Sequence, residues 1–280
     1  MIRASVIVPA YNEAATIGRL LDALVPLDAA VEIVVACNGC HDGTEAVCAR
    51  YAPRVRVLSQ AQPGKTAALN RALAETRGPI KLIVDADVLL DAGAAARLIA
   101  LASRPGVEVV QPRLNYRTED AGVGVRAYLR VWRRHPYFRT KIGGAYALSA
   151  AGVAKLGSFP EVVADDEYVR RKLFAGARWT AAAQAEVFPP RTLAALIRTR
   201  SRSLSGAAEL TRSRSDAAQP ALPGFGRTFA RLLLREMPLS ALVYAYVGLA
   251  ARLRTRMRRG HKVWERDDTS RPTPIAEAAE

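Results

Sequence analysis

The chain has 280 residues, 50% of them hydrophobic, so it can bury a sizeable core and general disorder is excluded. Its 41 basic and 26 acidic residues leave a net charge of +15 and a pI near 10.3, which favours anionic partners without choosing among phosphate ligands, nucleic acid and an acidic membrane. Three cysteines, Cys37, Cys40 and Cys48, in a chain that opens on a strand-like run, lead us to expect a reducing cytoplasm.

In chain order, "ASVIVPA" reads as a strand, and "EAATIGRLLDALV" then sets Ile17, Leu20, Leu21 and Leu24 on one helical face. "EIVVA" is a second strand, "DGTEAV" opens a helix and "RVRVL" is a third strand. "KTAALNRALAE" is helical, "IKLIV" the fourth strand, "AGAAARLIALA" a helix and "VEVVQP" the fifth strand. Such alternation predicts a mainly parallel α/β sheet with helices on both faces, whose ligands bind beyond the carboxyl ends of the strands. From Arg113 to Arg139 the pattern weakens, and "YLRVWRRHPYFR" reads as irregular or partly helical. "KIGGAYALS" follows as a glycine-rich loop and strand, "AAGVAKLGSF" as a short helix, and "VVADDEYVRRKLFAGA" as a helix beginning at an acidic pair. After Pro189-Pro190 the composition shifts to Arg, Ser, Ala and Leu, with a loop expected over 215–226 and a disordered tail over 266–280. No internal repeat is visible.

The fourth strand runs straight into Asp85-Ala86-Asp87. Two like charges one residue apart, on one side of an extended backbone, repel and are costly to bury. A divalent cation, Mg²⁺ or Mn²⁺, would relieve the conflict, because hard ions prefer carboxylate oxygen and share their shell with substrate phosphates. "QPGKTAALNRAL" is not a P-loop: position 59 is Ser59 where glycine is needed, and Pro63 removes an N–H from the cradle. Lys65 at a helix N-terminus still adds charge to a place that favours phosphate; a solvated surface lysine is the plain alternative. Asp165 can be an N-cap and Asp166 a first-turn residue favoured by the helix dipole. Cys37 and Cys40 form a C-x-x-C pair, for which packing is preferred over zinc or redox chemistry.

Together, "SVIVPAYNEAATI", "EIVVACNGCHDGT", "QPGKTAALNRAL", "DAD" and "GGAYALS" followed by "VVADDEYVRRKL" resemble the inverting family 2 glycosyltransferases, from residue 2 to about residue 206. The resemblance implies a GT-A, Rossmann-like fold with a C-terminal helical region. It implies that Pro9, Tyr11, Asn12 and Glu13 line the nucleotide, with Asn38, Lys65, Asp85, Ala86 and Asp87, and that Asp85 and Asp87 hold the metal. Gly143 and Gly144 would line the acceptor pocket and Asp166, beside Asp165, would be the catalytic base. Relatives carry two acids where this chain has Cys37 and Asn38, which implies altered contacts to the donor base. Of the Q-x-x-R-W signature of processive relatives only Arg202 is kept, a candidate phosphate ligand, and this counts against a processive synthase.

The expected reaction is metal-dependent inverting transfer from a nucleotide-diphosphate sugar to a hydroxyl of a glycan, glycolipid or lipid-linked acceptor. The expected division is 1–112 for the nucleotide-sugar half, 113–190 for the acceptor and catalytic half, and 191–265 for a basic helical extension. No apolar run reaches the roughly 18 residues of a spanning helix. Residues 238–251 with the cluster Arg252, Arg254, Arg256, Arg258, Arg259 and Lys262 fit either an anionic membrane surface, with the chain cytoplasmic and peripheral, or a packed helix with a solvated end. Three rivals stand beside the expected transferase: a nucleotidyltransferase, whose glycine-rich phosphate loop is lacking in "PAYNEAA"; a nucleic-acid-binding protein, suggested by charge and by aromatics among arginines but without a recognition motif; and, given Cys37 and Asn38, a family member that binds nucleotide without catalysis. No nucleic-acid partner is expected.

Overall fold

A computed structural model describes residues 1–212, 220 and 224–257 of the chain. Much of the loop expected over 215–226 lies outside these residues, as do the tail and Arg258, Arg259 and Lys262 of the basic cluster. The first half follows the predicted alternation: β1 (Ala4–Ala10), α1 (Ile17–Leu24), β2 (Val31–Asn38), α2 (Thr44–Ala49), β3 (Val55–Gln60), α3 (Lys65–Glu75), β4 (Ile80–Val84), a two-residue β5 (Val88–Leu89) and α4 (Ala92–Ala102). The second half adds β6 (Val109–Tyr116), α5 (Val123–Trp132), α6 (Pro136–Thr140), β7 (Ala145–Leu148), α7 (Ala150–Leu156), α8 (Asp165–Leu173) and β8 (Ala177–Val187). Helices α9 (Leu193–Arg212), α10 (Gly226–Arg231) and α11 (Pro238–Met257) complete the described chain.

The eight strands form one sheet in the order β3-β2-β1-β4-β7-β6-β8-β5. β3, β2, β1 and β4 are parallel, as the alternation predicts. The fifth predicted strand does not continue that set: β7 lies between β4 and β6, antiparallel to both. β8 then pairs parallel with β6, and β5 antiparallel with β8.

β1, β2 and β4 are buried along their whole length, which is why they read as unbroken apolar runs rather than as alternation. Val6, Val8, Val35 and Leu82 pack on one face against Ile17, Leu20, Leu21 and Leu24, all four α1 positions being buried as expected. Ile7, Val34 and Ile83 face the other way, onto Leu69 and Ala72 of α3 and Tyr168 and Val169 of α8. A third cluster, Val125, Tyr128, Leu129 and Trp132 of α5 with Leu196 and Val247, joins α5, α9 and α11. The aromatics of "YLRVWRRHPYFR" are therefore largely drawn into a core, not displayed as a stacking platform for bases.

Candidate active site

The ends of β1 and β2 are tied through side-chain amides. Pro9 is buried inside β1 opposite Ala36, and Tyr11 is half-buried where the strand ends. Asn12 takes φ of 54°, a left-handed conformation that asparagine tolerates, and its Oδ1 accepts from the His41 N–H at 2.9 Å. The N–H of buried Glu13 donates to the Thr44 hydroxyl at 2.7 Å, and its carboxylate accepts from the Thr16 hydroxyl. Asn38, 3% exposed, uses both ends of its amide: Nδ2–H donates to the Ala10 carbonyl at 2.7 Å and Oδ1 accepts from the Gly64 N–H at 3.1 Å. An ionised acid there could accept but not donate, so asparagine suits this joint between three motifs. The three cysteines are free, and Cys40 bonds the same turn, accepting from the Asn12 N–H and donating to the Ala10 carbonyl.

β4 stops at Val84, and the Val88 N–H closes a turn on the Asp85 carbonyl at 3.0 Å. Asp85 and Asp87 thus meet across a tight turn rather than along an extended strand, which corrects the geometric reason first given for their pairing. Buried Ala86 anchors the turn between them. Asp87 is open to solvent, yet enough protein surrounds it for desolvation, and next Asp85, to raise its carboxyl; Lys65 and half-buried Arg202 of α9 pull the other way.

Lys65, the first residue of α3, connects this turn to the acidic pair. Its Nζ lies 2.8 Å from Asp85 Oδ1 and 3.0 Å from Asp165 Oδ2. Desolvation works against the ammonium, but Asp165 and then Asp85 hold it well above the ordinary lysine value. Desolvation pushes the Asp165 carboxyl up to about 6 despite Lys65, with Asp166 and Asp85 adding to the rise. Asp165 is not the N-cap of α8; Ala164 is, and Asp165 stands in the first turn. Its Oδ2 approaches the ammonium without hydrogen-bond alignment, and the buried Tyr146 hydroxyl, whose titration desolvation and then Asp165 raise against the pull of Lys65, has no hydrogen-bond partner.

A partnerless Tyr146 hydroxyl, an Asp165 oxygen held by Lys65 through charge alone and mutually repelling carboxylates make a site with room for more positive charge. Hard Mg²⁺ or Mn²⁺ fits the oxygens of Asp85 and Asp87. Among the described residues no group of three or more His, Cys, Asp or Glu is arranged around an ion, so the rest of a metal shell would fall to ligand oxygens and water.

The glycine pair brings the base candidate to the same place. The Asp85 N–H donates to the Gly144 carbonyl at 2.8 Å, which fastens the loop to the Asp85–Asp87 turn. Buried Gln111 holds Gly143 by both amide ends, each at 3.1 Å. Gly143 has φ of 144°, and a Cβ on it would lie 2.6 Å from Asp166 Oδ2. Asp166 Oδ1 accepts from the Glu167 N–H at 2.8 Å, which leaves Oδ2 on the glycine side.

Sequence reasoning missed what supports this carboxylate. Glu167 accepts from Arg170 Nε at 2.7 Å, Arg171 Nε at 2.8 Å and the Tyr137 hydroxyl at 2.8 Å, all behind Asp166. The spacing of Glu167 to Arg170 and Arg171, three and four residues on a helix, was the available signal. Lys141 was missed too: desolvation opposes its charge, but Tyr116, Asp166 and Asp85 raise its ammonium overall. Nothing in a lone lysine before two glycines marks it out.

A family model described as Glycosyl transferase family 2 matches residues 5–152, just over half of the chain. The curated glucosyl-3-phosphoglycerate synthase of Mycolicibacterium paratuberculosis is 41% identical over 93 residues, covering 30% of this chain and 28% of its own. Glycosyltransferase AglD of Haloferax volcanii is 31% identical over 144 residues, 45% of this chain and 23% of its own. The chain thus spans under a third of the length of these curated relatives. Among solved structures, the mannosyltransferase PcManGT from Pyrobaculum calidifontis in complex with GDP-Man and Mn²⁺ aligns with a TM-score of 0.60 at 26% identity, covering 90% of this chain and 75% of that one. The glucosyl-3-phosphoglycerate synthase from Mycobacterium tuberculosis in complex with Mn²⁺, UDP and glucosyl-3-phosphoglycerate aligns with a TM-score of 0.56 at 25% identity, covering 78% and 81%.

Proposed function

Because the chain belongs to glycosyl transferase family 2 and has a GT-A fold, we propose that it transfers a sugar from a nucleotide-diphosphate donor to an acceptor hydroxyl with inversion at the anomeric carbon. The observation that carries this reading is Lys65 reaching Asp85 and Asp165 at once, so that three separate stretches of sequence converge on one point. Asp85 and Asp87, the D-x-D pair, are the residues that would hold Mg²⁺ or Mn²⁺. When bound, the ion supplies electrostatic and Lewis-acid assistance to the departing diphosphate.

The protein's own residues do the rest. Lys65 and Arg202 meet phosphate charge, while the turn at Tyr11, Asn12 and Glu13 and the joint at Asn38 bound the nucleotide side. Asp166 Oδ2 takes the proton of the acceptor hydroxyl as its oxygen attacks the anomeric carbon. The bond to the diphosphate oxygen breaks, its electron pair leaving with the nucleoside diphosphate, and no enzyme nucleophile is required. Asp165 and Lys65 keep the base turn in register with the metal turn, and Gly143 and Gly144 leave room for the acceptor. In this reading residues 1–112 are the donor half of the domain, 113–190 the acceptor half and 191–265 an extension. The acceptor is a glycan, a glycolipid or a lipid-linked sugar, and the chain works in the cytoplasm, peripherally at an anionic membrane. No described helix is long and apolar enough to cross a bilayer, and the basic C-terminal region supports surface contact.

A thermal-shift panel of nucleoside diphosphates and their sugars, with and without Mn²⁺, tests the donor half. Asp166→Asn tests the base: it should keep the Mn²⁺-dependent nucleotide shift and lose transfer. A variant that transfers sugar at the parent rate would refute the base assignment.

A further inference from the structure

α11 is apolar on the side where a surface helix should be polar. Ser240, Ala241, Tyr244, Val247 and Ala251 turn inward, toward α5 and α9. On the far side Leu239, Leu242, Tyr246, Leu249 and Leu253 recur at steps of three and four, each 48% exposed or more. At 3.6 residues per turn these five fall within roughly 80° of arc. No charged residue occurs on α11 before Arg252, so the usual rule of a charged outer face is inverted.

What borders the stripe is cationic. Arg231 and Arg235 precede it and Arg252, Arg254 and Arg256 close it. Glu236 is the single acid from Gly226 through Met257, and it is paired with Arg231 at 2.8 Å. In the flanking sequence, residues 258–280 contribute Val263, Trp264 and Ile275 as large apolar side chains, and 213–223 contribute Leu222.

We propose that this outward face of α11 docks on an anionic phospholipid bilayer, with its leucines and Tyr246 at the headgroup boundary and the flanking arginines on lipid phosphates. A second copy of the chain would instead bring like charges together. The contacts behind α11 bear on the acceptor. Tyr244 stacks on Tyr128 with ring centres 5.0 Å apart, Tyr128 stacks on Trp132, and Trp132 meets Tyr137, whose hydroxyl donates to Glu167 beside Asp166. A path of ring contacts thus joins the docked helix to the support of Asp166, and the proposal extends to an acceptor hydroxyl on a lipid-anchored headgroup. The docking deepens the peripheral location proposed above without needing the sugar transfer, on which only that last step rests.

The test is co-sedimentation of the full chain with vesicles of phosphatidylglycerol in phosphatidylcholine and of phosphatidylcholine alone, for the parent, L242E/L249E and R252Q/R254Q/R256Q. The Mn²⁺-dependent thermal shift with UDP or GDP is read on each protein. We expect partition on anionic vesicles to exceed that on neutral ones by about tenfold or more, and either set of substitutions to cost about tenfold or more, with the nucleotide shift unchanged. Equal partition of the parent and L242E/L249E overturns the proposal, as does binding indifferent to lipid charge. A dimer in analytical ultracentrifugation that L242E/L249E dissolves, without vesicle binding by the parent, assigns the face to a second copy and also overturns it. Docking without any nucleotide shift keeps this inference and removes the donor reading; the reverse result removes the docking alone.

Discussion

Lys65→Met removes the cation on which two carboxylates converge, and its cost can be worked from exposure. The side chains of Lys65 and Asp85 are 35% and 33% exposed, so that arm behaves as a surface pair worth at most about 1 kcal/mol. The Asp165 side chain is 7% exposed, and an unpaired buried charge costs roughly 3–5 kcal/mol when burial of both partners is complete. Because the lysine is a third open to water, about 2 kcal/mol is a fair share for that arm, and about 2–3 kcal/mol for both. At roughly 2–4 °C per kcal/mol, the metal-free melting temperature should fall by roughly 4–12 °C near pH 8. The penalty should shrink in acid. The folded carboxyl already sits up at about 6, above its unfolded value, so the stability its proton brings is complete below the unfolded value and is lost as pH rises through the folded one. Without Lys65 the folded value climbs further, and at about pH 5 the protonated Asp165 no longer requires the ammonium. Differential scanning calorimetry in chelator across this pH range, with Lys65→Met, Asp165→Asn and the double variant, reads each step. The double variant should recover most of the loss near pH 8. A loss equal at pH 5 and pH 8, unrelieved by Asp165→Asn, would refute the electrostatic reasoning.

Gly143→Ala would put a Cβ 2.6 Å from Asp166 Oδ2 and 3.2 Å from Lys141 Nζ at φ of 144°. The strain is about 1–3 kcal/mol, but the displaced carboxylate should lower kcat by about a hundredfold while Mn²⁺ and donor affinities hold. Steady-state kinetics beside nucleotide titration check this, and a kcat within about threefold of the parent contradicts it. Asn38→Asp keeps the acceptor for Gly64 but sets a buried carboxylate against the Ala10 carbonyl, so urea unfolding at pH 8 should show a loss of about 1–3 kcal/mol or more. An unchanged midpoint would mean that the joint carries no load.

Much of the donor half was legible because its determinants are local. β1, β2 and β4 are runs of branched apolar residues closed by turn residues, and α1 shows its period plainly. The antiparallel entry of β7 was not legible, since its neighbours are set by a crossover and not by its four residues. β8 was missed for a different reason: "ARWTAAAQAEV" is rich in alanine, a helix former, and much of it is exposed, so pairing with β6 decides its state. In α5 the spacing of Val125, Tyr128, Leu129 and Trp132 was present, but arginines on the intervening positions hid it. Asp85 and Asp87 stood out because acids at the exit of a core strand need a compensating charge. Their mutual placement did not, because a two-residue spacing means one thing in a strand and another in a turn.

The site also divides its chemistry between neutral ties and free charge. Asn12 to His41, Asn38 to Ala10 and Gly64, Gln111 to Gly143 and Thr44 to Glu13 are amide or hydroxyl bonds. Asp42, whose oxygens accept from the Ala14 and Thr44 N–H groups, and Glu13, whose carboxylate accepts from the Thr16 hydroxyl, are carboxylates among these ties. A carboxylate already committed to several backbone donors is a weaker ligand for a cation and a poorer acceptor for a proton, because the charge those donors stabilise is withdrawn from the incoming partner. Holding the loops with amides therefore leaves Asp85, Asp87 and Asp166 with Lys65, Lys141 and Arg202 as nearby cations. The reverse holds behind Asp166, where one carboxylate, Glu167, is held by two guanidinium groups, Arg170 and Arg171, in a buried network. Rigidity there positions Asp166, and because Glu167 is already committed to both guanidinium groups and to the Tyr137 hydroxyl it competes little for other cations.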